Sequence, residues 1–304
     1  MPYMLSAHRA SHVTLLRFLL LAVCLSGVRV TALDQAYLKE VQAWRTQHEV
    51  AYRREYVPLG GLFPLHDGWN TVGSAANSDI KLPARMPASV GRFQLDDKLI
   101  RYEPVKGVTA IVRGFKVGAT ALIRTDGDKD GVDEISFGDF VLWVHMSGGR
   151  PTIRLRDPKG EAARSFRGFR WFAVDESYRV TARFIKDAEP REIRAPNQLG
   201  DEEVMITEGV AEFTVNGQTV RLRPATTRPK RLWFIFRDGT SGQETYETAR
   251  FLYADLLDDG TTVLDFNQAY NPPCAFNPYT TCPIPIPENR LQVRILAGER
   301  AYSK

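Results

Sequence analysis

The sequence predicts an all-β protein in two parts: a β-sandwich preceded by one helix, then a small antiparallel β-barrel. Three observations carry that expectation. Phe, Trp, Val, Ile and Thr recur in short runs with Gly and Pro between them, the texture of strands and turns. Asn216-Gly217 stands between the runs Val210–Val215 and Gln218–Arg223, and this dipeptide is the strongest short signal for a tight hairpin. At 304 residues the chain is long enough to bury one large core or two ordinary ones.

Residues 1–32 read as a signal peptide rather than as part of the fold. Arg9 and Arg17 precede the apolar run Phe18–Val28. At about 11 residues that run is too short for a comfortable membrane span and suits a leader core. Val30-Thr31-Ala32 supplies small residues for cleavage, so the mature chain is expected to start near Leu33. The alternative is an anchor left uncleaved because Arg29 sits beside the cut. Lipidation at Cys24 is disfavoured by the bulk of Val23. The expected location is periplasmic or secreted, with no transmembrane domain in the mature chain. Losing Arg9, Arg17 and Arg29, and no acid, takes the net charge from +4 to +1. Neither a nucleic acid nor an anionic membrane surface is expected as a partner.

Residues 33–61 form the predicted N-terminal helix and linker. Tyr37, Val41, Trp44, His48 and Tyr52 recur along one helical face, and Pro58 with Gly60-Gly61 ends it. His48 on this stripe reads as a core or rim residue rather than a ligand. Residues 62–157 follow as the sandwich. Its strands are expected near 70–74, 91–95, 99–103, 108–112, 119–125, 134–146 and 151–156, with turns at Asp96-Asp97 and Ser147-Gly148-Gly149. Asp157-Pro158-Lys159-Gly160 reads as a boundary. Residues 158–304 begin with an Arg- and Phe-rich connector over 161–180 and continue as the barrel. Beyond the Asn216-Gly217 hairpin, strands are expected near 180–185, 231–237, 246–253, 261–266 and 291–296. In the last of these Leu291, Val293 and Ile295 alternate with Gln292 and Arg294, which predicts one buried face.

Residues 265–290 fit neither helix nor strand. Six prolines, Pro272 to Pro287, fix φ and remove donors. Cys274 and Cys282 are the cysteines left once Cys24 departs, and in an exported protein such a pair reads as a disulfide. Free thiols, a redox pair or a metal site are the alternatives. They lack support in a C-x-x-C spacing or in a histidine close by, since only His48, His66 and His145 remain. A bond across this loop stabilises by about 2.5 kcal/mol in the loop-entropy account. The stiffened segment is expected to lie over the barrel as a lid, either as a plug or as a platform for binding groups.

The polar groups leading into the loop are the candidate site. If 246–253 and 261–266 pair as a hairpin about Asp258-Asp259-Gly260, Arg250 falls near Asp265. Tyr246 and Thr248 then share the face of Arg250, and Asn267, Tyr270 and Asn271 continue into the loop. Arg237, Asp238, Thr240, Ser241 and Glu244 gather at the preceding turn. The conservative reading is a structural Arg250–Asp265 pair, because buried charge persists only when paired. The sharper one is a ligand pocket of Tyr246, Arg250, Asp265, Asn267, Tyr270 and Asn271. No catalytic residue, metal or cofactor is assigned. Ser241 lacks a nucleophile-elbow setting, and a Ser–His dyad requires the two β parts to meet in a specific way. Asp126-Gly-Asp-Lys-Asp-Gly131 starts like a calcium loop but has Phe137 where the bidentate Glu belongs, and reads as a solvated turn.

Val72–Ile80, Leu82-Pro83 and Ser89-Val-Gly-Arg-Phe93 resemble the start of a forkhead-associated domain, a β-sandwich that binds phosphothreonine peptides. The likeness covers about residues 65–157. Ser74 stands where that family's pocket has an arginine, Arg92 where it has a histidine, and no Asn-Gly step is evident around 110–115. The resemblance therefore implies the fold and not the ligand, with an anion held by Ser89 and Arg92 as the functional alternative. A second resemblance covers most of the mature chain. It rests on Gly61–Leu65, Gly73-Ser74, Ser78–Ile80, Trp171-Phe172, Asp175, Tyr178-Arg179, Phe236-Arg-Asp238 through Thr245-Tyr246 and the whole of 265–290. These are similar to an uncharacterised bacterial family, domain-of-unknown-function family 1684, above all through Asn-Pro-Pro-Cys-Ala-Phe-x-Pro-Tyr-x-Thr-Cys-Pro at 271–283. That resemblance implies no activity.

The expected function is non-enzymatic binding of a small molecule or an envelope protein through the polar pocket. One alternative is a hydrolase using a carboxylate or tyrosine there, which needs two titratable groups within reach of one open volume. The other is a structural envelope protein with no ligand. It predicts an exposed apolar patch and no pocket, with Trp143, Trp171 and Trp233 as core or contact residues.

Overall fold

The computed structural model describes residues 34–197 and 200–303. The leader reading of residues 1–32, with Cys24, lies outside the described residues. Gln35–Lys304 forms one compact unit. It opens with α1 (Gln35–Glu55), whose stripe buries Tyr37, Val41 and Tyr52 as its spacing predicts. No described helix is long and apolar enough to cross a membrane.

Eleven strands follow: β1 (Leu59–Pro64), β2 (Gly68–Gly73), β3 (Ile80–Lys81), β4 (Gly91–Asp96), β5 (Leu99–Pro104), β6 (Ala110–Val112), β7 (Phe115–Val117), β8 (Ala121–Leu122), β9 (Ile135–Phe137), β10 (Phe140–Ser147) and β11 (Arg150–Arg156). They form a six-stranded sheet, β1-β11-β10-β9-β6-β7, and a five-stranded sheet, β3-β2-β4-β5-β8. One core lies between them. Val72, Phe93 and Tyr102 enter it from the smaller sheet, and Leu142, Val144, Ile153 and Leu155 from the larger. Gly148 and Gly149 take φ of 54° and 82°, the left-handed pair that a tight β10–β11 hairpin requires. The run expected at 134–146 is broken into β9 and β10 by Gly138, at φ 60°. β1 falls where the sequence suggests a linker. Its Gly60-Gly61 ends the helix, yet the same stretch pairs antiparallel with β11.

The C-terminal part carries α2 (Glu161–Ser165), β12 (Arg179–Pro196), β13 (Glu202–Val215), β14 (Gln218–Leu222), β15 (Ala225–Arg228), β16 (Arg231–Phe236), β17 (Arg250–Asp255) and β18 (Thr261–Asp265). A four-stranded sheet, β14-β13-β12-β18, faces a three-stranded one, β15-β16-β17. Phe184, Phe213, Phe234, Phe236, Leu252 and Phe266 fill the space between. The Asn216-Gly217 hairpin forms, with φ of 50° and 74°.

Three expectations are corrected here. β17 and β18 do not pair as a hairpin. β17 lies against β16, with Arg250 opposite Phe236, whereas β18 lies against β12, with Asp265 opposite Arg179. The Asp258-Asp259-Gly260 turn carries the chain from one sheet to the other, and a single bridge, Leu256 to Thr262, links them. Residues 291–296 keep the alternating burial but form no strand. Their backbone instead bonds to Arg237 and Gly239, and Arg250 takes the carbonyls of Ile295 and Ala297. Finally, the proline loop does not lie over a barrel mouth. With α1 it covers the outer face of β16 and β17, where Trp233, Ile235 and Phe251 point away from the core. Asn277 fixes the loop by donating to the carbonyls of Tyr56 and Leu59, at 2.9 Å each.

Candidate functional site

Strand alternation builds one wall of a cleft. Along β10 and β11 the residues Leu142, Val144, Ile153 and Leu155 face the sandwich core. The positions between them, Trp143, His145 and Arg154, therefore face the other way. Water does not cover this outer face fully. The β13 start and the proline loop approach it and leave a cleft of about 720 Å³. His145 and Arg154 line it from the sandwich, Glu202 and Glu203 from β13, Trp233, Phe251 and Tyr253 from β16 and β17, and Tyr270 and Thr280–Pro283 from the loop. Tyr52 and Tyr56, at the end of α1, complete the aromatic lining.

Arg154 is the singular charge in this cleft. Its Nε is buried without a hydrogen-bond partner, and its guanidinium makes no ion pair among the described residues. Burial lowers its pKa, against the fields of Asp126, Tyr56, Cys282 and Glu203. Glu203 feels Arg154 without touching it, and burial raises its carboxyl. The Trp233 indole Nε1 is a second buried donor without a partner. An aromatic-walled cleft with an unsatisfied cation and an unsatisfied N–H is suited to a ligand with an acidic group.

At the edge of the same cleft three side chains form a chain of contacts. The His145 Nδ1 lies 2.6 Å from Asp126 Oδ2, and its Nε2 lies 3.2 Å from the Thr281 hydroxyl. Asp126 is held in turn by the Met146 N–H, 2.9 Å from its other oxygen. Burial would raise the Asp126 carboxyl, but the bonds from His145 and Met146 outweigh it and hold it low. Asp128 is bonded within its turn by Thr125. Among the described residues no cluster of three or more His, Cys, Asp or Glu side chains is placed to hold a metal ion.

The sequence-predicted site residues are dispersed. Arg250 is fully buried and pairs with Asp238, not Asp265. Asp265 accepts hydrogen bonds from Tyr37 and Asn267, and Asn267 is itself buried in that knot. Asn271 is buried against Glu299, donating to it through backbone and side chain at 2.8 Å each. Tyr246 reaches the Cys274 sulfur at 3.9 Å. Of these, Asp265 and Tyr270 share an opening, a second cleft of about 570 Å³ with Trp44, His48 and Gln268. Tyr270 also lines the larger cleft. His48 packs among rings, 4.6 Å from Tyr270 and 4.2 Å from Tyr52, and burial pushes it down to about 4.

Cys274 and Cys282 stand side by side as free thiols rather than as the expected disulfide. A bond to Cys282 and then burial push the Cys274 thiol up. Cys282 is held low by its bonds to Cys274, which outweigh its burial. The outer-face residues His145 and Arg154 and the turn residue Asp126 were not picked out by sequence as a site. The signal for the first two was available: polar residues at the non-core positions of strands whose outer face also carries Trp143.

No curated protein matches the chain. The solution structure of an uncharacterized protein of Haloarcula marismortui is similar to it at 29% identity, over 47% of this chain and 82% of that one, with a TM-score of 0.39. Residues 164–300 match the model of the family described as Protein of unknown function (DUF1684). The C-terminal sheets and the proline loop thus carry the family likeness, whereas Asp126, His145 and Arg154 lie before the matched segment.

Proposed function

We propose that this is an exported binding protein whose larger cleft takes a small organic anion with a flat apolar body. The observation that carries the reading is Arg154, a half-buried cation with no partner of its own. Such a charge costs several kcal/mol of desolvation unless something pairs with it. The surrounding rings of Tyr52, Tyr253 and Tyr270 supply apolar contact area for the rest of the ligand. A purely structural role is less favoured, because that reading expects no pocket, whereas a cleft of about 720 Å³ is present.

In the same reading the 62–157 sandwich is forkhead-associated-like in fold and does not take that family's ligand. Arg92 is committed to Glu103 at 3.0 Å and to the face of Trp69, and Ser74 to the Met86 carbonyl. Residues 158–304 make the second domain. Export is tested by N-terminal sequencing of the protein recovered from cells, with a start near Leu33 expected and an intact Met1 counting against it.

The binding reading is tested by titration calorimetry with benzoate, phenylacetate and phenyl phosphate, and with benzamide as the neutral control. The acids are expected to bind and benzamide not. Arg154→Met is expected to weaken binding at least about tenfold, or ~1.4 kcal/mol. Equal affinity in Arg154→Met, or no binding by any of the acids, overturns the reading.

A further inference from the structure

The geometry points to an activity at the edge of this cleft: we infer that Thr281 is a nucleophile and His145 its base in the hydrolysis of carboxylic esters, Asp126 positioning the imidazole. The inference rests on the binding reading above, since Arg154 in the same cleft would hold an acidic group of the ester.

The tautomer follows from the contacts. A carboxylate accepts only, so the 2.6 Å contact places the proton on His145 Nδ1. In the neutral ring Nε2 is then an acceptor, and the Thr281 hydroxyl must donate to it across 3.2 Å. This is the order of contacts that activates a hydroxyl: carboxylate, imidazole, hydroxyl, with the hydroxyl beside an open volume. Thr281 Oγ1 has no other hydrogen-bond partner among the described residues.

Each member is fixed from behind. The Asp126 N–H donates to the Val144 carbonyl at 3.0 Å, so the aspartate is tied to the strand that bears the histidine. On the other side Thr280 donates to the Asn277 carbonyl at 3.0 Å, and Asn277 is anchored to the backbone after α1. Pro283 follows Cys282 and limits the chain further. The rigid loop therefore presents one hydroxyl to a histidine that lies 136 positions away in sequence.

The chemistry balances without a co-reactant other than water. Thr281 Oγ1 bonds to the acyl carbon while its proton passes to His145 Nε2. The tetrahedral adduct collapses, the ester C–O bond breaks, and the leaving alkoxide takes that proton. Water, deprotonated by His145, then attacks the acyl-threonine. The acid leaves, and the proton returns to Thr281 Oγ1.

The probe is the 4-nitrophenyl monoester of succinate, with succinic monoanilide as an uncleaved analogue for binding. Wild type is expected to release nitrophenolate above the buffer rate. Thr281→Val and His145→Asn are each expected to lower that rate by about 10²–10⁴-fold while still binding the anilide. Asp126→Asn is expected to lower the rate and displace the acid limb of its pH profile, with Asp126→Glu restoring part of both. A fluorophosphonate, which stays on the residue that attacks it, is expected on Thr281 of wild type even if Thr281→Val fails to fold. A label elsewhere, no label, or turnover that survives Thr281→Val overturns the inference. Anilide binding without ester turnover in wild type also overturns it and leaves the binding reading standing. Neither binding nor turnover overturns both.

Discussion

Arg250 and Asp238 form an ion pair in which neither side chain is exposed to solvent. The Nη atoms of Arg250 also donate to the carbonyls of Ile295 and Ala297, its Nε is buried without a partner among the described residues, and Thr240 donates to Asp238 through both its backbone and its hydroxyl. One buried pair thus joins β17, the 238–245 turn and the extended C-terminal segment. Removing either partner leaves the other charge in the core. Asp238→Ala is expected to cost about 3–5 kcal/mol, and the double change Arg250→Met with Asp238→Leu less than that. Urea unfolding measures both. A loss under about 1 kcal/mol for Asp238→Ala would show that the pair does not hold the segment.

Tyr37 ties the helix to the end of β18. Its hydroxyl donates to Asp265 at 2.9 Å, and Asn267 donates to the Tyr37 oxygen at 2.9 Å. Burial, then the Asp265 charge, push the Tyr37 pKa well up, so the hydroxyl keeps its proton at any ordinary pH. Burial raises the Asp265 carboxyl against its bonds from Tyr37 and Asn267. Tyr37→Phe removes both the bond to the charged Asp265 and the one accepted from Asn267, and is expected to cost about 1.5–3 kcal/mol. Amide exchange in Gln35–Glu55 should accelerate in this variant. Unchanged exchange would mean that the Tyr37 bond is not what holds the helix.

What the sequence made legible was local. The stripe Tyr37–Tyr52, the Asn216-Gly217 hairpin and the alternation of Leu291, Val293 and Ile295 each report the faces of one segment, and each burial pattern is realised. Partnership is not local, and it failed where a turn could lead either way. The Asp258-Asp259-Gly260 turn is compatible with a hairpin or with a crossing between sheets. The crossing occurs, which separates Arg250 from Asp265. The burial of Arg250 was foreseeable as a need for a counter-ion. Which of Asp238 and Asp265 meets that need depended on the sheet order. The larger cleft was hidden for the same reason, since its polar groups come from both β parts and meet only where His145 reaches Thr281.

Cys274 and Cys282 act on each other's thiols across one short loop, which places them as candidates for a bond. We propose that an oxidising environment joins them. Peptide mapping of the non-reduced protein after exposure to an oxidising buffer is expected to recover 274 cross-linked to 282. The bond should raise stability by roughly 2.5 kcal/mol over the reduced form. Two alkylated thiols in that material, after denaturation without reductant, would refute the pairing.

The pH dependence of stability separates two buried groups of opposite sign. Burial pushes His48 from 6.5 down to about 4. The unfolded chain accepts a proton there that the fold refuses, so the stability tied to His48 is full above 6.5 and is lost as pH falls through 4. Burial pushes Glu299 from 4.5 up to about 8, against its bonds from Asn271 and the field of Arg250. The fold keeps a proton that the unfolded chain releases, so this contribution is full below 4.5 and is lost as pH rises through 8. Thermal midpoints measured across this range should therefore respond to the two variants in different limbs. His48→Phe is expected to flatten the fall on the acid side, and Glu299→Gln the fall on the alkaline side, each by up to a few kcal/mol. If His48→Phe leaves the slope between pH 6.5 and 4 as it was, the imidazole already carries its proton in the fold, and the ring stack is not what excludes it.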